Sequence, residues 1–172
     1  MILDAPRLSL LALNTELAGL QASSRTAFFN ALAVTHNAVW PPEPFGDAAL
    51  AWSKDNLARD PDGVGWYGWT MLTNDDERLP PKLIGAAALV GRPDEDGDVE
   101  LAFGLLPEYR GRGYGAEAVR ALATWALANG ARRVIVHLDA EDYFAARTLE
   151  KTGFSDTREP PYPGVARWAR AA

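Results

Sequence analysis

The sequence predicts one α/β domain, residues 1–172, built on a mixed, mainly antiparallel sheet flanked by helices. Three observations lead there. Residues 65–105 form a succession of β-prone runs separated by acidic turns rich in Pro and Gly, the pattern of antiparallel strands. Residues 99–138 then read as strand, glycine loop, amphipathic helix and strand, and a strand reached across a helix runs parallel to its predecessor. The first 60 residues carry helix signals after a single apolar strand. At 172 residues the chain can bury one sizeable core and is short for two.

In chain order, residues 7–13 are a short apolar run and read as the first strand; Asn14-Thr15 behind it is an N-cap signal. Helices are expected within 15–22 and 25–36, and after the proline-rich break at 41–44 a third helix opens at Asp47 and runs to about Arg59. Residues 65–72 and 83–90 read as antiparallel strands joined by a charged turn at 74–81. Residues 99–105 follow a second acidic turn as a third strand of the same sheet. Val119, Leu122, Ala123, Ala126 and Leu127 recur at helical spacing, and Asn129-Gly130 ends that helix. Residues 133–138 form the next strand, Asp142 caps a last helix over 143–152 that stops at Gly153, and short terminal strands follow, broken at 160–164. Trp40, Trp52, Trp66, Tyr67 and Trp69 read first as core and second as the lining of an acceptor pocket.

Composition removes several function classes. With 48% apolar and 23% charged residues the chain is of globular composition, and no apolar run approaches the ~20 residues of a membrane helix. No basic segment leads into an apolar core at the N-terminus, so cytoplasmic residence is the default expectation. The absence of cysteine excludes disulfides, thiolate metal sites and a cysteine nucleophile, and His36 and His137 alone make a histidine metal site improbable; no metal is expected. A net charge of −6 argues against a nucleic-acid partner and suits a cationic substrate.

The chemistry centres on residues 105–116, where Gly111, Gly113 and Gly115 stand at alternate positions between a strand and a helix. Such a loop brings backbone N–H groups close to a ligand, and the helix start adds its free N–H groups and positive dipole end, so a phosphate or pyrophosphate fits. Two cofactor classes use this arrangement. Residues 111–116 satisfy G-x-G-x-x-A with Asp139 roughly 20 residues on, the spacing of a Rossmann dinucleotide site, although a short chain with a strand-rich segment upstream lacks the expected series of βαβ units. The other class fits more of the sequence. Arg110-x-x-Gly113-x-Gly115 resembles the R/Q-x-x-G-x-G/A signature of the GNAT superfamily of acyl-CoA N-acyltransferases, and Leu149-Glu150-Lys151-Thr152-Gly153-Phe154 resembles its L/Y-E-K-x-G-F segment. Residues 3–10 resemble the L-x-T-x-R-L-x-L opening of the RimJ/RimL-like branch, related to ribosomal-protein alanine acetyltransferases, with Ala5 in place of Thr.

The resemblance implies a GNAT fold in which a splayed parallel strand pair binds acyl-CoA, with acetyl-CoA as co-substrate. Phe103, Gly104 and Leu105 would contact its pantetheine arm, and the backbone of Arg110, Gly111, Arg112, Gly113, Tyr114, Gly115 and Ala116 would hold its pyrophosphate. Asp142 stands where the branch has a cofactor-contacting Asn, and Ala145 where it has Ser. Glu100, seven positions before Pro107, matches an acidic position of the branch and is a candidate general base; the competing reading is a solvent-facing strand glutamate. His137 interrupts an apolar strand where several members carry the basic carboxylate; it is either a second candidate or a structural histidine. Leu149 replaces the tyrosine that protonates the leaving thiolate in many relatives, and Tyr143 lies almost two turns away from it.

These residues imply an enzyme that transfers acetyl from acetyl-CoA to a primary amine, a small molecule or a peptide N-terminus, by direct attack. No cysteine and no G-x-S-x-G serine is present to carry an acyl intermediate. The rivals are an NAD(P)-binding Rossmann-like oxidoreductase and a non-catalytic acyl-CoA sensor. No membrane partner is expected, and a homodimer is left open.

Overall fold

The computed structural model describes residues 1–74 and 79–172. Among the described residues, eight strands form one sheet: β1 (Ile2–Asp4), β2 (Leu8–Ala12), β3 (Trp69–Thr73), β4 (Leu83–Leu89), β5 (Asp98–Leu105), β6 (Arg133–Asp139), β7 (Ser155–Asp156) and β8 (Val165–Ala171). Their spatial order is β1-β2-β3-β4-β5-β6-β8-β7. Every neighbouring pair is antiparallel except β5 and β6. Helices α1 (Thr15–Ser23), α2 (Arg25–Ala31) and α3 (Asp47–Arg59) lie between β2 and β3; α4 (Tyr114–Ala128) joins β5 to β6, and α5 (Tyr143–Glu150) follows β6. The mixed, mainly antiparallel sheet with flanking helices is the predicted fold class. The Rossmann alternative is overturned, because one parallel pair cannot make a doubly wound sheet, and Asp139 instead accepts the Glu141 N–H at 2.8 Å in the turn after β6.

What positions the site is the way β5 and β6 meet. Their ladder has only three registered pairs, Asp98 with Arg133, Val99 with Val134 and Glu100 with Ile135. Beyond Glu100 the strands continue for five and four residues respectively without pairing, so the sheet opens there. β5 keeps its antiparallel bonds to β4 as far as Leu105, and β6 keeps its bonds to β8 as far as Asp139. Each lip of the opening is therefore held from outside.

Alternation along β5 sends Val99, Leu101, Phe103 and Leu105 to one face and Asp98, Glu100, Ala102 and Gly104 to the other. α4 covers the first face with a stripe of Ala118, Val119, Leu122, Ala123 and Ala126, all fully buried, against a core that includes Val99, Leu101, Val134 and Val136. Each buried Val or Leu in that layer contributes about 1.5–3 kcal/mol relative to exposure, so this contact holds the α4 N-terminus against the end of β5.

Several boundaries differ from the sequence reading. β1 was not predicted: three residues carry too little periodicity to be read, and the strand exists through its pairing with β2. α2 ends at Ala31 rather than near 36, because Ala33 turns left-handed at φ 52° and the Val34 N–H folds back to the Phe29 carbonyl at 3.1 Å. β3 starts at Trp69 rather than Gly65. Gly65 sits at φ 102°, where an added Cβ would run into Met1 and the Trp125 ring, and its carbonyl accepts the Trp69 indole N–H at 2.8 Å. The aromatic cluster is core. Trp40, Trp66, Tyr67 and Trp69 are buried, and Trp66 and Trp69 pack on Trp125 with ring centroids 4.8 and 5.5 Å away. The charged turn expected at 74–81 falls partly outside the described residues.

Candidate active site

The glycine loop leaves β5 through a short 3-10 turn, Pro107–Tyr109, closed by the Tyr109 and Arg110 N–H groups on the Leu106 and Pro107 carbonyls. Arg110 then reaches back, its Nε donating to the Leu105 carbonyl at 3.0 Å, which ties the loop to the lip of the opening. Gly111 and Gly113 adopt φ 74° and 88°, a left-handed backbone that a side chain would strain. Gly113 is also the N-cap of α4 and offers no side chain to satisfy the first turn. Among the described residues, the N–H groups of Gly111, Arg112, Gly113, Gly115 and Ala116 meet no protein acceptor. A row of unsatisfied donors at a helix start, free of side-chain obstruction, fits a pyrophosphate.

The other cofactor candidates surround this loop. An added Cβ on Gly115 would lie within van der Waals contact of Phe103, Leu105 and Thr148, so these two β5 side chains and α5 stand beside the start of α4. Gly104 faces the opposite way. A Cβ there would collide with the Glu43 carbonyl, so the segment before α3 lies directly on the far face of β5, and Asn37 Nδ2 donates to Glu108 at 3.4 Å to hold the same loop near the 3-10 turn. Asp142 is the N-cap of α5, its carboxylate accepting the Ala145 N–H at 2.9 Å. Burial, with the Glu108 charge adding to it, pushes the Tyr109 phenol above its ordinary value, so it stays protonated.

Glu100 and His137 come together. Glu100 is the last β5 residue paired to β6, and His137 lies two residues beyond its partner Ile135 on the same face, so the point where the sheet opens sets them side by side. His137 Nδ1 lies 3.1 Å from Glu100 Oε1, with both side chains partly exposed. A carboxylate on one ring nitrogen leaves the other to face a ligand, with the tautomer set by the pair. The acid expected by resemblance is missing: Leu149 is fully buried, and Tyr143 is 74% exposed at the far end of α5.

A cavity of about 470 Å³ opens on this pair, lined among others by Arg92, Asp94, Asp98, Glu159 and Arg167. Its cations are engaged. Arg167 donates to Asp98 at 3.3 Å, and Arg92 makes two bonds to Asp60, at 2.7 and 3.0 Å. Asp98 is taken up further by two bonds from Arg133, at 2.7 and 2.6 Å, which hold that guanidinium even more firmly protonated. Arg92 in turn holds the Asp60 carboxyl below its ordinary value, helped by the Tyr67 hydroxyl at 2.8 Å. Among the described residues, Asp94, Glu100 and Glu159 remain as lining carboxylates without an arginine partner, Asp94 accepting only the Asp96 and Asp98 N–H groups, so the cavity favours a cation.

Sequence reasoning found Glu100 and His137 separately and missed that they are one unit, which depends on a register no local pattern gives. It also missed Glu159 and the contact between residue 43 and Gly104, contributed by loops without periodicity. A second omission lies on the other face: Arg7 binds Glu117 through its backbone N–H at 3.0 Å and its Nε at 2.7 Å, and donates through Nη2 to the Arg112 carbonyl at 2.8 Å. The only available signal was an acidic residue in the first turn of α4 beside a single arginine in the N-terminal motif.

Comparison with known proteins agrees with this geometry. Residues 15–155 match the family described as Acetyltransferase (GNAT) domain. YycN of Bacillus subtilis, named an uncharacterized N-acetyltransferase, is 40% identical over 69% of this chain and 74% of its own length. YjdG of the same organism, also named an uncharacterized N-acetyltransferase, is 25% identical over 90% of this chain and 89% of its own. Among solved structures, RimL, a ribosomal alpha-N-protein acetyltransferase in complex with coenzyme A, superposes with a TM-score of 0.63 at 14% identity, covering 99% of this chain and 98% of that one, a likeness of fold. On its strand order, its opened parallel pair and the match across residues 15–155, the chain belongs to the GNAT acetyltransferase family.

Proposed function

We propose that the protein transfers an acetyl group from acetyl-CoA to a primary amine by direct attack. The observation that carries this reading is the opening after Glu100: it has a row of backbone N–H donors at one rim and the Glu100-His137 pair at the other. The loop from Arg110 to Ala116 binds the pyrophosphate, and the backbone edge of Phe103, Gly104 and Leu105, left unpaired to β6, takes the pantetheine so that the thioester reaches the pair. The cation-favouring cavity receives the acceptor as an ammonium ion. Glu100 and His137 remove a proton from it, the freed nitrogen forms a bond to the thioester carbon, and the carbon-sulfur bond breaks to release coenzyme A. Solvent supplies the thiolate's proton, since Leu149 has none to give.

The resemblance to the RimJ/RimL-like branch makes a peptide N-terminus a leading acceptor class, alongside small amines. Acetyl-CoA should stabilise the protein by about 2.7 kcal/mol at a hundredfold excess over its Kd, while NAD(P) leaves the melting temperature in place. An amine screen read by thiol release should then give turnover with at least one acceptor. Stabilisation without turnover on any amine would point to a sensor, and no stabilisation would remove the assignment altogether.

A further inference from the structure

The N-terminal segment contributes a residue to the glycine loop that the transfer reaction itself does not call for. Arg7 precedes β2, more than a hundred residues from the loop in sequence, yet it touches it at three points. Its backbone N–H and Nε hold both oxygens of Glu117, its Nη2 holds the Arg112 carbonyl, and its guanidinium carbon lies 4.5 Å from the centroid of the Tyr114 ring. The Glu117 side chain is only 13% exposed and belongs to the first turn of α4. A carboxylate there is favourable for the helix alone and unfavourable beside a phosphate, because both compete for the same positive helix end. The Arg112 carbonyl poses the same difficulty: a peptide that flips to present oxygen would replace a donor with an acceptor in the row of N–H groups.

We infer that Arg7 is a positioning residue for pyrophosphate binding: it neutralises Glu117 and pins the Arg112 carbonyl, so that the loop presents donors and a net positive helix end to the ligand. Geometry supports a fixed arrangement rather than an incidental surface pair. One guanidinium bridges a carboxylate and a carbonyl while lying on an aromatic ring, a combination that Lys cannot reproduce. Gly113 completes it, since an added Cβ would lie 3.1 Å from Arg7 Nη2.

This inference rests on the proposed acetyl-CoA reading, and the test separates the two. Acetyl-CoA is compared with acetyl-pantetheine, which offers the same thioester without phosphates, on Arg7→Gln, Arg7→Lys and the double variant Arg7→Gln/Glu117→Gln. Arg7→Gln should raise the Kd and KM for acetyl-CoA on the order of tenfold, leave kcat at saturation nearly unchanged, and leave the acetyl-pantetheine kinetics as in the parent. The double variant should recover part of the loss, because the unpaired carboxylate is gone. Arg7→Lys keeps the charge but not the fork, and should fall between parent and Arg7→Gln; it also carries the test if Arg7→Gln does not fold. Parental acetyl-CoA affinity in folded Arg7→Gln, or equal losses on both thioesters, overturns the inference while the functional reading stands. A parent protein that binds neither thioester overturns that reading and the inference with it.

Discussion

In the proposed reaction, the two sides of the β5-β6 opening recognise their ligands by opposite means. On the cofactor side the donors are backbone N–H groups of Gly111, Arg112, Gly113, Gly115 and Ala116, all within one turn and one helix start, and the side chains that matter there, Arg110 and Arg7, bind other protein groups. On the acceptor side the backbone is occupied by the sheet, and selectivity falls to side chains gathered from β5, β6, β8 and two loops. A backbone cradle fixes one chemical group, a phosphate, almost regardless of the surrounding sequence. A cavity built from side chains can be changed one residue at a time without disturbing it, so acceptor choice is free to vary while the cofactor stays the same.

The sharpest way to break this comparison is at the Glu100-His137 pair. Glu100→Gln should lower kcat at neutral pH by roughly 10²–10⁴-fold with acetyl-CoA affinity nearly intact, since the lost interaction belongs to proton transfer. Because the two side chains lie 3.1 Å apart and act together, His137→Gln should fall in the same direction, and the double variant should lose much less than the product of the two single effects. The deficit should shrink as pH rises and free amine accumulates. Near-parental rates in both single variants and in the double would take the pair out of the mechanism.

On the other side, Gly113→Asp places a side chain on a left-handed residue, presses it on the Arg7 guanidinium and adds a negative charge where the pyrophosphate approaches. Acetyl-CoA should bind about a hundredfold more weakly, or not measurably, in a protein whose circular dichroism remains that of the parent. Equilibrium binding in a folded variant decides the matter: unchanged affinity would show that the loop is not the cradle.

The same contrast explains what could be read in advance. The geometry of the glycine loop was legible because it follows from consecutive residues: the glycines, the helix behind them and the strand before them lie within a dozen positions. α3 was legible over its full length for a similar reason, as was the parallel pairing of β5 and β6, which follows from the helix between them. The Glu100-His137 contact is different in kind. His137 is visible as an anomaly on its own strand and Glu100 through the family resemblance, but whether they meet depends on a register of three pairs that ends at Glu100. Gly104 could be named as a contact but not given its neighbour, since nothing in residues 41–45 announces that the Glu43 carbonyl needs the missing Cβ. Arg7 is the extreme case, a charge whose partner is 110 residues away.

The smallest effect should come from the frame that holds Arg92 at the cavity rim. Asp60, just past α3, accepts two bonds from Arg92 and one from the Tyr67 hydroxyl, and Arg92 foremost, then Tyr67, holds its carboxyl below the ordinary aspartate value. A carboxyl whose folded value is depressed contributes stability that is present above its unfolded value, near pH 4, and lost as pH falls through the lower folded value. Asp60→Asn should therefore lower the melting temperature at neutral pH, by no more than about one or two degrees because the group is only half-buried and solvent screens its pairing with Arg92. Below the folded value the parent's Asp60 is itself protonated, so the two melting temperatures should converge there. The acetyl-CoA KM should stay put, since Asp60 lies on the acceptor side. A melting difference that persists unchanged into strong acid would mean that the aspartate acts through its shape and hydrogen bonds rather than its charge, and a rise in the acetyl-CoA KM would show that the two sides of the opening are coupled through the sheet.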